Sequence, residues 1–184
     1  KRSDGGEYTI SGTLVGDLSL KRYFTYTGKL TTIDRHESTE ETPNSTLTTD
    51  LALNEWTQAR LQDKGDSYYL QDESCRVVEL YLAEEGIGLA ETWPTGNGRV
   101  LKVEFFVEWA TDVTQGIPAG TYKVVARDEE SKGIPREFLK PGGIASGYPN
   151  VFTYPQGTWY EKISNGTMKE YARIDSGTMT VARD

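Results

Sequence analysis

Between Arg99 and Trp109 the chain reads RVLKVEFFVEW, and this run constrains the fold more than any other. Leu101, Val103, Phe105, Val107 and Trp109 share one side of an extended chain. Lys102, Glu104 and Glu108 share the other, with Phe106 the one exception. A helix needs an apolar face of period 3.6, so a period of two over this length specifies a strand. The pattern predicts a central strand with the five apolar residues buried and the charged ones facing water. The same alternation recurs after Gly-Thr steps: GTLV from Gly12, GTYKVVA from Gly120, GTWYEKI from Gly157 and GTMTVA from Gly177. Glycine makes the reversal without steric cost and β-branched threonine starts the strand.

Period-two segments fall at Glu7–Val15, Arg22–Ile33, Arg76–Ala83, Arg99–Trp109, Thr121–Arg127, Thr158–Ile163, Met168–Ile174 and Thr178–Arg183. Ser45–Leu53, Gln58–Gln62 and Ser67–Gln71 are weaker strands. Asn54–Gln62 competes as a turn or two of helix, and Pro135–Lys140 reads as one helical turn. Short strands at Gly-rich intervals specify an all-β fold: an antiparallel β-sandwich, jelly-roll or immunoglobulin-like, with wet outer faces. A chain of 184 residues fits a single such domain over 1–184. Within it, the polar stretch 34–44 reads as a linker or mobile loop. Two further excursions, Glu84–Gly98 and Asp128–Gly157, are too long and too rich in Gly and Pro for hairpin turns.

Composition excludes several functions. Twenty basic residues against 28 acidic ones give a net charge of −8, and nucleic-acid binding needs a basic face. No apolar run is long enough to span a bilayer as a helix. One cysteine, Cys75, permits no intrachain disulfide; followed by RVVELYLA, it reads as a buried residue at a strand start. A chain opening on KRSDGG suggests that a leader or preceding domain has been removed.

Catalytic chemistry has few places to sit. The single histidine, His36, lies in DRHESTEE, where no apolar wall would fix its tautomer. Asp63, Asp66, Asp72 and Glu73 lack the EF-hand register and read as turn residues. One Cys and one His do not make a zinc site, and no phosphate-loop or other cofactor motif is present, so no cofactor is expected. On one strand face Glu104 and Glu108 stand about 13 Å apart at roughly 3.3 Å per residue, too far for a glycosidase pair. A pair across strands, such as Glu79 with Glu104, depends on the sheet order. Aromatic residues are the positive signal: eleven Tyr, four Trp and five Phe. Trp93 on the first excursion, and Tyr148, Tyr154 and Tyr160 on or just after the second, are the residues expected to line a ligand platform.

DKGDSYYL, RVVELYLA, LKVEFFVEW, IPAGTYKVV, GTWYEKISNG and IDSGTMTVAR, in that order, resemble β-sandwich domains of unknown function from Bacteroidetes surface lipoproteins. The resemblance covers about two thirds of the chain, from Asp63 onward. It implies an extracytoplasmic or cell-surface setting and transfers no catalytic residue. In such proteins a segment like GEYTISGTLV follows a strand like TMTVAR; here it stands at the N-terminus, as in a permuted unit or a repeat cut out of register. Glu7–Val15 is therefore expected to pair antiparallel with Thr178–Arg183, within one molecule or by strand exchange with a second copy or a tandem-repeat neighbour.

Three functions fit. The leading one is a non-enzymatic surface module that binds a glycan or a partner protein. The others are a carbohydrate-active hydrolase using a cross-strand carboxylate pair, and a structural spacer of an adhesin. A carboxylate pair inside a cleft would favour the hydrolase, and a groove of stacked tyrosines without one would favour the binding module.

Overall fold

The structure, a computed structural model, describes residues 7–15, 21–29, 45–53, 56–68, 70, 73–90, 93–148 and 155–182. The expected linker 34–44 lies outside them. The chain divides into two compact units, Lys1–Glu41 and Thr42–Asp184.

In the first unit the described residues form two strands. β1 (Glu7–Val15) pairs antiparallel with β2 (Lys21–Lys29), from Glu7 opposite Lys29 to Val15 opposite Lys21. This register puts Tyr8, Ile10 and Leu14 in line with Gly28, Tyr26 and Arg22.

In the second unit the strands are β3 (Gln58–Gly65), β4 (Arg76–Ala83), β5 (Ile87–Gly88), β6 (Thr95–Gly96), β7 (Gly98–Val107), β8 (Gly120–Val125), β9 (Gly143–Ala145), β10 (Trp159–Ser164), β11 (Thr167–Arg173) and β12 (Thr178–Val181). The described residues contain no α-helix. Among the described residues two short 3-10 turns occur, and one of them, Arg136–Phe138, is the turn expected within Pro135–Lys140. Of the segment Asn54–Gln62, Gln58–Gln62 belongs to β3, while Asn54 and Glu55 lie outside the described residues. Apart from the β5–β6 ribbon, these strands belong to one sheet, which curls into a half-barrel.

β7 organises that sheet. One edge pairs with β4 from Val100 to Val107. The other edge is shared: β10 takes Gly98–Lys102, and β9 takes Phe105 through Ile144. β9 then runs parallel to β8, the one parallel pair in a sheet otherwise antiparallel. So the excursion Asp128–Gly157 is not all loop: its middle three residues, Gly-Ile-Ala, form a buried strand in the core. Three residues are too few to show a period, which is why alternation misses them. Ile144→Val is expected to cost about 0.5–1.5 kcal/mol, read as a lower urea midpoint; an unchanged midpoint would mean β9 is not core.

Both faces of β7 are buried. On the first face Val103, Phe105 and Val107 join Val78, Tyr122, Val124 and Ile144 in one cluster, with Phe105 and Tyr122 in edge-to-face contact at 5.0 Å. The expected apolar register therefore holds over these residues; Leu101 is half-buried, and Trp109, beyond the end of the strand, is half-buried with the Arg76 guanidinium 5.5 Å from its ring. The expected wet face is a correction. Lys102 and Glu104 are 4% and 6% exposed, and only Glu108 faces water. Phe106, the apparent exception, is completely buried on that second face among Val77, Leu70, Ile134 and Leu139. Alternation separates two faces without saying what covers each.

Thr178–Val181 pairs with Gly120–Val125, Met179 opposite Tyr122, and Glu7–Val15 pairs with β2.

Candidate functional site

The second face of β7 carries a buried polar band between two apolar clusters. At one end Val77, Phe106 and Ala145 pack with Leu70, Leu139 and Cys75, the last buried just before β4 as its sequence context suggests. At the other end Tyr81, Ala83, Ile87, Val100 and Ile163 pack together. Between them the antiparallel register sets Glu79 of β4 directly opposite Glu104 of β7, and Tyr81 opposite Lys102. Side chains two apart on a strand share a face, so all four converge.

Lys102 is the centre. Its Nζ lies 2.9 Å from Glu79 Oε1 and 4.0 Å from Glu104 Oε2, and donates to the Pro155 carbonyl at 3.0 Å. The Tyr81 hydroxyl donates to Glu79 Oε2 at 3.0 Å, and the Tyr68 hydroxyl to Glu104 Oε1 at 2.6 Å. Burial, reinforced by the adjacent carboxylate, raises both phenols far above their ordinary range, so both remain donors. The Gly157 N–H donates to Glu104 Oε2 at 3.2 Å, and the Glu104 N–H donates to Thr158 Oγ1 at 3.2 Å. Gly157 has φ +77°, and a Cβ there would stand 2.2 Å from the Ser146 carbonyl oxygen. Only glycine lets the chain pass this close and still aim its N–H at the carboxylate.

A third acid joins from β10. Glu161 is 1% exposed, and among the described residues neither of its carboxylate oxygens has a hydrogen-bond partner. Burial raises its carboxyl from 4.5 to about 8, with the Lys102 ammonium pulling the other way. At neutral pH it is held mostly neutral, which suits a carboxyl without donors around it.

Above the band opens a cleft of about 400 Å³, lined by Glu79, Lys102 and Glu104 with Tyr68, Lys64, Ser67, Arg127 and Gln156. The Arg127 guanidinium is held by the Ser146 and Gly147 carbonyls and lies 5.3 Å from the Tyr148 ring.

Of the expected platform residues that the structure describes, Tyr148 is the one near this cleft, through Arg127. Trp93 is half-buried in the β5–β6 excursion, next to buried Pro94, and does not line the cleft. Tyr160 is buried on β10 opposite Leu101, on the other face of the sheet. Tyr154 lies outside the described residues. Glu79 and Glu104 form the cross-strand pair that the sequence raised and only the strand order could decide. Lys102 and Glu161 were not anticipated: Lys102 stands on the face of β7 assigned to solvent, and Glu161 is an acid on the face it shares with Trp159 and Ile163. The available signal was the place of Glu161 two residues from Trp159 and two from Ile163, an acid in the middle of an apolar face.

Two turn acids have local roles. Asp63 pairs with Arg76 at 2.8 Å, and Asp66 Oδ1 accepts the Leu70 N–H at 2.7 Å. Asp72 lies outside the described residues. No helix among the described residues is long and apolar enough to cross a membrane. No protein-family model, no curated protein and no solved structure matches the chain.

Proposed function

We propose that the chain is a non-enzymatic binding module that takes a glycan in the cleft over the Glu79–Lys102–Glu104 band. The observation that carries this reading is the state of the carboxylates. Tyr81, Tyr68, Gly157 and Lys102 between them engage all four oxygens of Glu79 and Glu104. Such a floor is rigid and already bonded, so it offers a sugar fixed acceptors and a cation without rearrangement. The exposed rim residues Lys64, Ser67 and Gln156 add adaptable partners for hydroxyl groups.

A cell-surface, extracytoplasmic setting belongs to this proposal and is supported by the motif resemblance. The jelly-roll or immunoglobulin-like sandwich enters as the frame in which the curled sheet would be one layer. Its support is the row of half-buried Leu80, Leu101, Ile174, Met179 and Val181 along the first face. A strand-exchange or tandem-repeat neighbour is supported by the outer edge of β12, four uncharged residues with no ladder on that side among the described residues. A protein ligand or a spacer role has no comparable observation behind it.

The test is a glycan array followed by calorimetry on the best hit. Lys64→Ala/Gln156→Ala alters only exposed side chains and is expected to weaken binding about tenfold, two hydrogen bonds being worth about 0.5–1.5 kcal/mol each. Trp93→Ala is expected to leave affinity unchanged. Binding lost in the Trp93 variant but retained in the double variant would move the site to the β5–β6 excursion.

The second reading, a hydrolase, is favoured by the direct opposition of Glu79 and Glu104. It requires the wild type to cleave aryl glycosides and both Glu79→Gln and Glu104→Gln to abolish cleavage.

A further inference from the structure

A different part of the second unit carries an apolar groove, independent of the polar cleft. It has a volume of about 420 Å³ and lies between the end of β8 and the turn before β9, within the range of small-molecule sites. Val125, Ala126, Phe138 and Pro141 contribute its apolar walls. Phe138 is 41% exposed, one of three large apolar side chains so open among the described residues, and the one of the three that lines this groove. Among the described residues, the only lining side chains with polar atoms are Lys123 and Lys140, both exposed, and none that lines the groove is acidic.

These features select the occupant. A peptide or a sugar would have to strip water from amides or hydroxyls against walls that cannot hydrogen-bond them, which is costly. An alkyl chain loses nothing of that kind and gains with every methylene it buries. On a chain of net charge −8, a mouth with two ammonium groups and no carboxylate attracts an anion. We propose that the groove binds a free single-chain anionic amphiphile, with the alkyl tail along Phe138 and Pro141 and the carboxylate head between Lys123 and Lys140.

The probe is dodecanoate, titrated below its micellar range against the whole chain by calorimetry, with dodecanol as the uncharged control. Dodecanoate is expected to bind with one site, and dodecanol at least roughly tenfold more weakly. Lys123→Glu/Lys140→Glu is expected to weaken dodecanoate at least roughly tenfold and to leave dodecanol unchanged. Ala126→Trp, at an exposed wall position, is expected to block both ligands while the urea midpoint stays in place. No dodecanoate binding, equal binding of the two ligands, or binding that survives the charge reversal would overturn the proposal. So would binding that survives Ala126→Trp.

Discussion

Replacing Lys102 by methionine is expected to destabilise the Thr42–Asp184 unit by roughly 3–5 kcal/mol. Methionine matches the length and fills the space, so lost packing is a small part of the effect. What remains is Glu79, 6% exposed, with the ammonium 2.9 Å from its Oε1 gone and, among the described residues, the Tyr81 hydroxyl as its remaining donor. Glu104 loses the same cation at 4.0 Å. An ion buried without its partner keeps its desolvation cost and forfeits the attraction that offset it. Urea unfolding followed by tryptophan fluorescence measures this directly, because Trp56, Trp93, Trp109 and Trp159 all lie in this unit. Lys102→Met/Glu79→Leu is expected to recover most of the loss, since removing both charges leaves an apolar contact in place of an orphaned ion. A single variant within about 0.5 kcal/mol of the wild type would place it among ordinary surface substitutions and contradict the burial of the pair.

The second large effect is in pH. Burial raises Glu161 from 4.5 to about 8, against the opposing pull of Lys102. Between those values the folded chain holds a proton that the unfolded chain has released, so this group's contribution to stability falls as pH rises. Its contribution is at its best below about pH 4.5, and the full penalty stands above about pH 8. A tenfold change in proton affinity is worth about 1.4 kcal/mol, so the penalty at the alkaline end is a few kcal/mol. Glu161→Gln keeps the shape and removes the titration. The variant is expected to match the wild type near pH 4 and to be more stable by a few kcal/mol at pH 8.5, in urea midpoints taken across that range. Parallel curves for the two proteins would mean that Glu161 is solvated or paired in solution. The two proteins differ at this one side chain, so the difference between their curves reports on it.

Much of the local structure is legible in the residues themselves. Arg76–Ala83 and Glu7–Val15 form strands over the bounds that alternation alone predicts. Val103, Phe105 and Val107 share the face that their spacing assigns them. Side-chain direction along an extended chain follows from covalent geometry, so a period of two is readable wherever it runs for several residues. Gly157 and Gly177 take positive φ just before strands, as the Gly-Thr steps imply.

The site is legible only in part. Glu79 and Glu104 can be recognised as candidates, but their opposition is a property of β4 lying beside β7, and Glu161 reaches the same band because β10 takes the remaining edge. Strand order reflects which apolar surfaces can be buried together across long stretches of chain, and no local pattern records it. Lys102 shows the difference most plainly. Its place opposite the apolar row is set by the sequence around it. Whether that place is wet or dry depends on what covers it, here a carbonyl from Pro155 and an acid from a neighbouring strand. Alternation by itself determined the strands and their two faces. Tertiary structure alone decided that the charged face of β7 would be buried, because burying those ions requires partners that come from elsewhere in the chain.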